Sequence, residues 1–304
     1  MRCIFIYNPV SGKGKIAKKL SFIVEELKKK YEIVDVHETT GAGDMTATAK
    51  AALNTYDAII FAGGDGSFNE VIQGLADKEN LPELGYIPSG TVNDIAHTLK
   101  IPKNIKKALK IIQTGKTEPL DCMRVNDVYA MYVVAAGAFT SATYKTSQKQ
   151  KNYVGRLAYW WHGARKNLRF QVFKIRCENG EQQIETHAVL SSFINSRYVA
   201  GFGFNKKLAN LQDGKIEVAI VKQTESPNFF RKVGALVGVA RLFLFGYKTR
   251  CKRVIRLNGS RFDIEVDDDI IWNFDGEKGQ NGKICIEVVP RKIKMIVPND
   301  LKRI

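Results

Sequence analysis

Apolar and polar positions recur with two different periods along the chain. Arg2 to Tyr7, Tyr31 to His37, Asp57 to Ala62 and Leu84 to Ile87 are short apolar or alternating runs of the kind that forms strands. Between them, Lys15 to Tyr31 carries Ile16, Leu20, Ile23, Val24 and Leu27 at helical spacing, with Lys and Glu on the other face. Asp44 to Leu53 is alanine-rich and reads as helix. Ser67 to Leu75 places Phe68, Val71, Ile72 and Leu75 on one helix face, and further helices are expected over Asn93 to Leu99 and Ile105 to Thr114. Alternating strand and helix predicts a three-layer α/β domain around a parallel sheet, with binding loops at the C-terminal ends of the strands.

The pattern changes after Pro119. Tyr129 to Val134, Gln171 to Cys177, Ile184 to Ile194, Ile216 to Val221, Arg253 to Leu257, Phe262 to Val266, Ile270 to Phe274 and Lys283 to Val289 are strand-like runs separated by turns. They predict a C-terminal β-sandwich. Two helical inserts are expected in it, around Val154 to Lys166 and around Phe229 to Tyr247. The reading is therefore of an α/β domain over 1–121 and a β-sandwich over 122–290. A final strand, Lys292 to Val297, could join either, and 291–304 is placed with the first domain.

Length and composition agree with two folded domains: 304 residues, 44% hydrophobic and 26% charged. The five cysteines are scattered and odd in number, which argues against a disulfide framework. The four histidines are dispersed too, with no HExxH and no Cys/His cluster, so a zinc site is not expected. The apolar start is too short for a signal peptide, and the longest charge-free run, Val128 to Tyr144, suits buried strands better than a spanning helix. These features predict a soluble intracellular protein. The net charge is +16, and the excess is uneven. Lys145 to Arg176 holds nine Lys/Arg and no acid, and Arg231 to Arg256 holds eight and no acid. One such run could be a solvated face. Two in the same half point to an anionic surface. A nucleic-acid partner is not expected, because no reading motif accompanies the charge.

Three glycine-bearing loops follow predicted strands. Gly63-Gly64-Asp65-Gly66-Ser67 opens a helix that Ser67 could cap, and its free N–H groups would favour phosphate. Asp65 would repel phosphate unless magnesium lay between them; the alternative is a buried capping carboxylate in a β-to-α turn. Pro88-Ser89-Gly90-Thr91-Val92-Asn93-Asp94 also joins strand to helix, with Thr91 or Asn93 as cap. Adjacent parallel strands would bring Asp65 and Asp94 to one sheet edge and one metal-bound phosphate. The third loop is Asn8-Pro9-Val10-Ser11-Gly12-Lys13-Gly14. Gly12, Gly14 and Ala17 match GxGxxA, but the glycines come too late after the strand for a dinucleotide turn. No Walker A motif occurs. Ser11, Lys13 and the amides of Gly12 to Gly14 remain candidate phosphate contacts.

Together, Asn8-Pro9-x-Ser11-Gly12, Gly63-Gly64-Asp65-Gly66-Ser67-x-Asn69-Glu70 and Gly90-Thr91-Val92-Asn93-Asp94-Ile95-Ala96 resemble the three N-terminal motifs of the diacylglycerol kinase catalytic-domain family. Lys151-x3-Gly155-x2-Ala158-Tyr159, Leu211-x-Asp213-Gly214 and Asp275-Gly276-Glu277 resemble its later motifs, so the likeness covers essentially the whole chain. The resemblance implies an NAD kinase-like α/β nucleotide domain, a β-sandwich, and an active site in the cleft between them. It implies ATP bound by Asn8 to Gly12, by Gly64 to Glu70, by Thr91 and by Thr39. It implies Glu277 as proton acceptor, with Asp65 and Asp275 in the catalytic set. A structural Mg²⁺ is implied at Asp213, helped by carbonyls near Asn210 and Lys215. Departures are Ser67 for threonine, Tyr132 where an asparagine is common, and Ala135-Ala136-Gly137 for a glycine-rich triplet. They bear on the lipid pocket more than on the chemistry.

The expected reaction is transfer of the γ-phosphate of ATP to the hydroxyl of diacylglycerol, with Mg²⁺ held through Asp65 and Asp94 and Glu277 taking the proton. The acceptor would be reached from the inner face of the membrane by a cytoplasmic, peripherally associated enzyme. Phe229-Phe230-Arg231-Lys232 to Phe245, and Trp160-Trp161, are the docking candidates; the alternative for the phenylalanines is a core-packed helix with basic flanks. The family suggests a homodimer. Competing readings are a kinase of another lipid alcohol, a soluble-substrate kinase of the NAD kinase type, and a non-catalytic lipid- or nucleotide-binding protein.

Overall fold

The apolar run at the start forms β1 (Arg2–Tyr7), buried at five of its six positions. Three strands join it in parallel: β2 (Ile33–Glu38), β3 (Ala58–Gly63) and β4 (Glu83–Pro88), in the order β2-β1-β3-β4. β3 is buried throughout, as a central parallel strand covered by helices must be. The computed structural model describes residues 1–138, 171–204, 210–247 and 249–302. The helix expected over Val154 to Lys166, the Lys151 to Tyr159 motif and Trp160-Trp161 lie outside them.

The helices of this half are α1 (Leu20–Lys28), α2 (Asp44–Ala51), α3 (Asp65–Leu75), α4 (Asp94–Thr98) and α5 (Ile105–Thr114). α1 packs with α5, and α2 with α3. α1 begins later than its apolar spacing predicts. Gly12, Lys13 and Gly14 all have left-handed φ, near 60° to 71°, so the chain turns twice before a regular helix starts. α3 docks through Phe68, which meets the stacked rings of Phe61 and Tyr86 edge-on at 5.5 and 5.4 Å.

The second half is antiparallel: β5 (Lys116–Val125), β6 (Val128–Ala130), β7 (Val133–Gly137), β8 (Phe173–Glu178), β9 (Gln183–Ile194), β10 (Ile216–Gln223), β11 (Val254–Gly259), β12 (Arg261–Val266), β13 (Ile271–Phe274), β14 (Glu277–Asn281) and β15 (Ile284–Val297), with α6 (Phe229–Phe245) between β10 and β11. Its strands sandwich a separate apolar core in which Phe193 lies between Phe262 and Trp272, at 5.6 and 6.0 Å.

The halves share two strands. β15 was expected as two strands, Lys283 to Val289 and Lys292 to Val297, and β5 was not expected. In the structure each is continuous and runs through both halves. β5 flanks β15 along its length; on the other side lie β12, then β4. Where they cross, Asp121 alone faces Pro290, Arg291 and Lys292. The buried Asp121 carboxylate secures this bulge by accepting the Arg291 N–H at 2.7 Å, in a residue whose φ is 53°. Its other oxygen accepts the Gly214 N–H at 2.7 Å.

Candidate functional site

β1, β3 and β4 end side by side, so their loops meet. A Cβ on Gly12 would lie 3.1 Å from Ser89, and Ser11 Oγ is 2.8 Å from Ser89 Oγ. Gly64 and Gly90 touch through their backbones: a Cβ on Gly90 would fall 2.5 Å from the Gly64 Cα. Ser89 and Gly90 both donate N–H to the Gly63 carbonyl, at 2.8 and 3.2 Å. Around this junction, the Asn8 side chain accepts the Val10 N–H and steadies the first turn, with Pro9 inside it. Thr39, buried at the end of β2, donates its N–H to the Tyr7 carbonyl. Thr91 is exposed at the rim, and Lys103 Nζ donates to its carbonyl.

The acids here do structural work that their spacing does not reveal. Asp65 accepts the Asn93 N–H at 2.8 Å and the Asp94 N–H at 2.7 Å. It therefore caps α4, a loop away. Burial raises its carboxyl pKa, and the N–H groups of Asn93, Asp94 and Ile95 pull against that rise. Asn93, left-handed at φ 60°, stands at the N-cap position of α4 but donates Nδ2 to the Gly90 carbonyl and accepts from Tyr86 Oη, so its side chain does not cap the helix. Asp94 is 2% exposed and accepts the Gly201 N–H at 2.7 Å, reaching into the second half. Glu70 accepts the Gly43 N–H at 3.2 Å, tying α3 to the start of α2. Ser67 lies against Gly63, where an added Cβ would come 2.1 Å from its Oγ. No side chain caps α3. The positive end of that helix thus points into the loop junction, the setting in which backbone N–H groups receive phosphate.

The opposite wall comes from the β13–β14 turn. Asp275 is 3% exposed, with φ 51°. Its carboxylate accepts N–H bonds from Met131 at 2.5 Å, Tyr132 at 3.0 Å and Val133 at 2.9 Å, and a longer one from Asn69 Nδ2 at 3.3 Å. Burial pushes its pKa up to about 6 against those donors. Asp275 is therefore the anchor of the turn, and Asn69 reaches it. Two residues on, Glu277 is exposed, and its Oε1 lies 3.5 Å from where a Cβ on Gly66 would sit. Its charge contributes to raising the Glu70 carboxyl, after burial. Glu277 thus stands across the open N-terminus of α3.

Three contributors went unrecognised in the sequence. Gln73, a turn along α3 from Asn69, accepts the Tyr129 N–H and donates to the Tyr129 carbonyl, joining the halves. Asp121 holds the strand crossover. Tyr132 was noted only as a departure. Its hydroxyl donates to the Asp275 carbonyl at 2.9 Å, and its pKa is raised first by burial and then by Asp65, Asp275, Asp94 and Glu277.

The second expected metal position lies by the crossover. Asp213 accepts the Lys215 N–H at 3.1 Å and Asn210 Oδ1 accepts the Gln212 N–H at 3.1 Å. The Asp213 carboxyl is raised by burial and by the charge of Asp121. That local negative potential, with carboxylate and carbonyl oxygens, suits a hard divalent cation. Among the described residues no three Asp, Glu, His or Cys form a metal cluster.

Residues 2–125 match the diacylglycerol kinase catalytic domain, and residues 132–297 match the YegS C-terminal NAD kinase beta sandwich-like domain. The chain is 34% identical to a diacylglycerol kinase of Bacillus subtilis (strain 168), over 98% of this chain and 97% of the relative. It is 32% identical to a diacylglycerol kinase of Staphylococcus aureus (strain MRSA252), over 99% and 93%. Among solved structures, a diacylglycerol kinase from Bacillus anthracis str. Sterne superposes with a TM-score of 0.78 at 22% identity, covering 97% of this chain and 96% of that one, a likeness of fold.

Proposed function

The chain belongs to the diacylglycerol kinase family, a family of lipid kinases, and on that premise we propose that it transfers the γ-phosphate of ATP to the hydroxyl of diacylglycerol, yielding phosphatidic acid and ADP. The observation that carries this reading is Glu277 standing over Gly66 at the uncapped start of α3. The helix end and the glycine loops receive the phosphates, and a carboxylate faces them from the other half. The acceptor oxygen attacks the γ-phosphorus, the bond to the β–γ bridging oxygen breaks, and Glu277 takes the hydroxyl proton. Magnesium, bound with the nucleotide, would be held by the phosphates with Asp94 contributing and Asp65 bracing the loop behind; it would neutralise phosphate charge. Magnesium in such sites characteristically takes one or two carboxylates plus phosphate oxygens. A second ion at Asp213, with the carbonyls of Asn210 and Lys215, would secure the strand crossover.

We place the enzyme on the cytoplasmic face of a membrane, where its substrate lies. Among the described residues no helix is long and apolar enough to cross a membrane. The test is γ-labelled ATP with a panel of diacylglycerol, other lipid alcohols and NAD. Label entering diacylglycerol alone supports the proposal. Label in another lipid alcohol moves the substrate, label in NAD overturns the lipid reading, and no label anywhere overturns catalysis.

A further inference from the structure

α6 has two unlike faces. Ala235, Gly238, Val239 and Leu242 are buried, and Gly238 sits so close to β10 that a Cβ would lie 3.3 Å from Val221. The other face carries Phe230, Val233, Val237 and Leu244, spaced by three, four and seven residues, all exposed; Phe230 is 81% and Leu244 71% accessible. Phe229 and Phe245 extend it at the ends. Of eleven exposed large apolar residues among those described, six fall on these 17 residues, a concentration that scattered surface residues do not show. Arg231, Lys232 and Arg241 are interspersed, with the Arg241 guanidinium 5.5 Å from the Phe245 ring centre.

Charge decides what covers this face. A second copy related by twofold symmetry would set an acid-free cationic face against itself. The chain's own Lys145 to Arg176 stretch has the same sign. A nucleic acid would satisfy the cations but not the phenylalanines. An anionic bilayer satisfies both, with apolar side chains at the headgroup–acyl boundary and cations at the level of the phosphates. The helix, roughly 25 Å long at 1.5 Å per residue, would lie along that surface.

We propose that α6 docks the protein on anionic membranes, laying Phe230, Val233, Val237 and Leu244 into the headgroup region with Arg231, Lys232 and Arg241 on lipid phosphates. The helix is mechanically joined to the cleft. Phe243 packs on Phe202 and Phe204 at 5.8 and 6.0 Å, the Tyr247 N–H bonds the Phe204 carbonyl, and Gly201 of the same loop donates to Asp94. Docking α6 therefore holds the Asp94 side of the cleft at a fixed attitude to the bilayer. That this delivers substrate rests on the lipid kinase reading; docking itself does not.

The experiment is co-sedimentation of the full chain, without ATP, with vesicles of phosphatidylcholine alone or mixed with phosphatidylglycerol. Binding should require phosphatidylglycerol and weaken with salt. Val237→Asp and Phe230→Ser should each lower vesicle affinity about tenfold or more. Arg241→Gln should lower it about fivefold. Val237→Leu should retain it. All three sites are exposed, and unchanged thermal melts would exclude misfolding. Affinity indifferent to these substitutions, or equal on neutral vesicles, overturns the proposal. So does a variant that loses a dimer on size exclusion yet sediments as wild type does, because the face would then join two copies. Since no turnover is read, failure of the kinase assignment leaves this result standing.

Discussion

The two walls of the cleft hold their carboxylates differently. On the first wall Asp65 and Asp94 are drawn inward onto main-chain N–H groups, each stitching one loop to another. On the second wall Asp275 is held in the same way, but Glu277, two residues along, is left exposed above Gly66. A carboxylate saturated by buried donors fixes geometry. One facing solvent and an open helix end can exchange a proton. The contrast separates acids held by main-chain N–H groups from one left accessible within a single acidic cluster.

Breaking the framework should have the largest effect. Asp275→Ala leaves three main-chain N–H groups and the Asn69 amide without their acceptor, at about 1–3 kcal/mol per buried orphan. Urea titration should show a loss of about 4 kcal/mol together with loss of turnover; a fully stable variant would mean the turn does not depend on its anchor. Glu277→Gln should do the reverse, lowering kcat by about 10²- to 10⁴-fold while the melting temperature and nucleotide KM stay near wild type. Unchanged kcat removes Glu277 from the chemistry. Gly90→Ala forces a methyl toward the Gly64 backbone and should cost about 1–3 kcal/mol and raise nucleotide KM. A wild-type KM would show that the loop junction does not shape the nucleotide site.

The smallest effect is in pH. Burial lifts Asp275 from 3.8 to about 6, so between those values the folded protein binds more protons than the unfolded chain. Stability from this group is therefore present below pH 4 and lost as pH rises toward 6. Asp275→Asn removes that titration, so the gap between wild type and variant in urea should narrow across this window. A gap that widens with pH would reverse the sign of the shift.

The part of this arrangement legible in the sequence is the part carried by local rules. Glycine-bearing loops following apolar runs marked three strand ends, and α5 begins after Asn104, which caps it through the Lys107 N–H. The direction in which a loop carboxylate turns is set by tertiary contact, so the sequence, which reads Asp65 as magnesium-associated with a capping turn as the alternative, does not reveal its bonds to the Asn93 and Asp94 N–H groups. β5 went unseen because Lys116–Val125 mixes charges with Pro119, and that run is a strand only because β15 lies beside it. β14 went unseen because Glu277–Asn281 has no apolar alternation. α6 is apolar on nearly every side, which is as compatible with a buried helix as with one that leaves a greasy face uncovered.

The shared strand pair also dictates the order of events during synthesis. β15 is translated after every other described strand, yet its final residues, Ile293 to Val297, fill the slot between β4 and β5 in the sheet beneath the phosphate loops. The parallel sheet of the first half therefore stays unfinished until that late segment has been made and folds in beside β4.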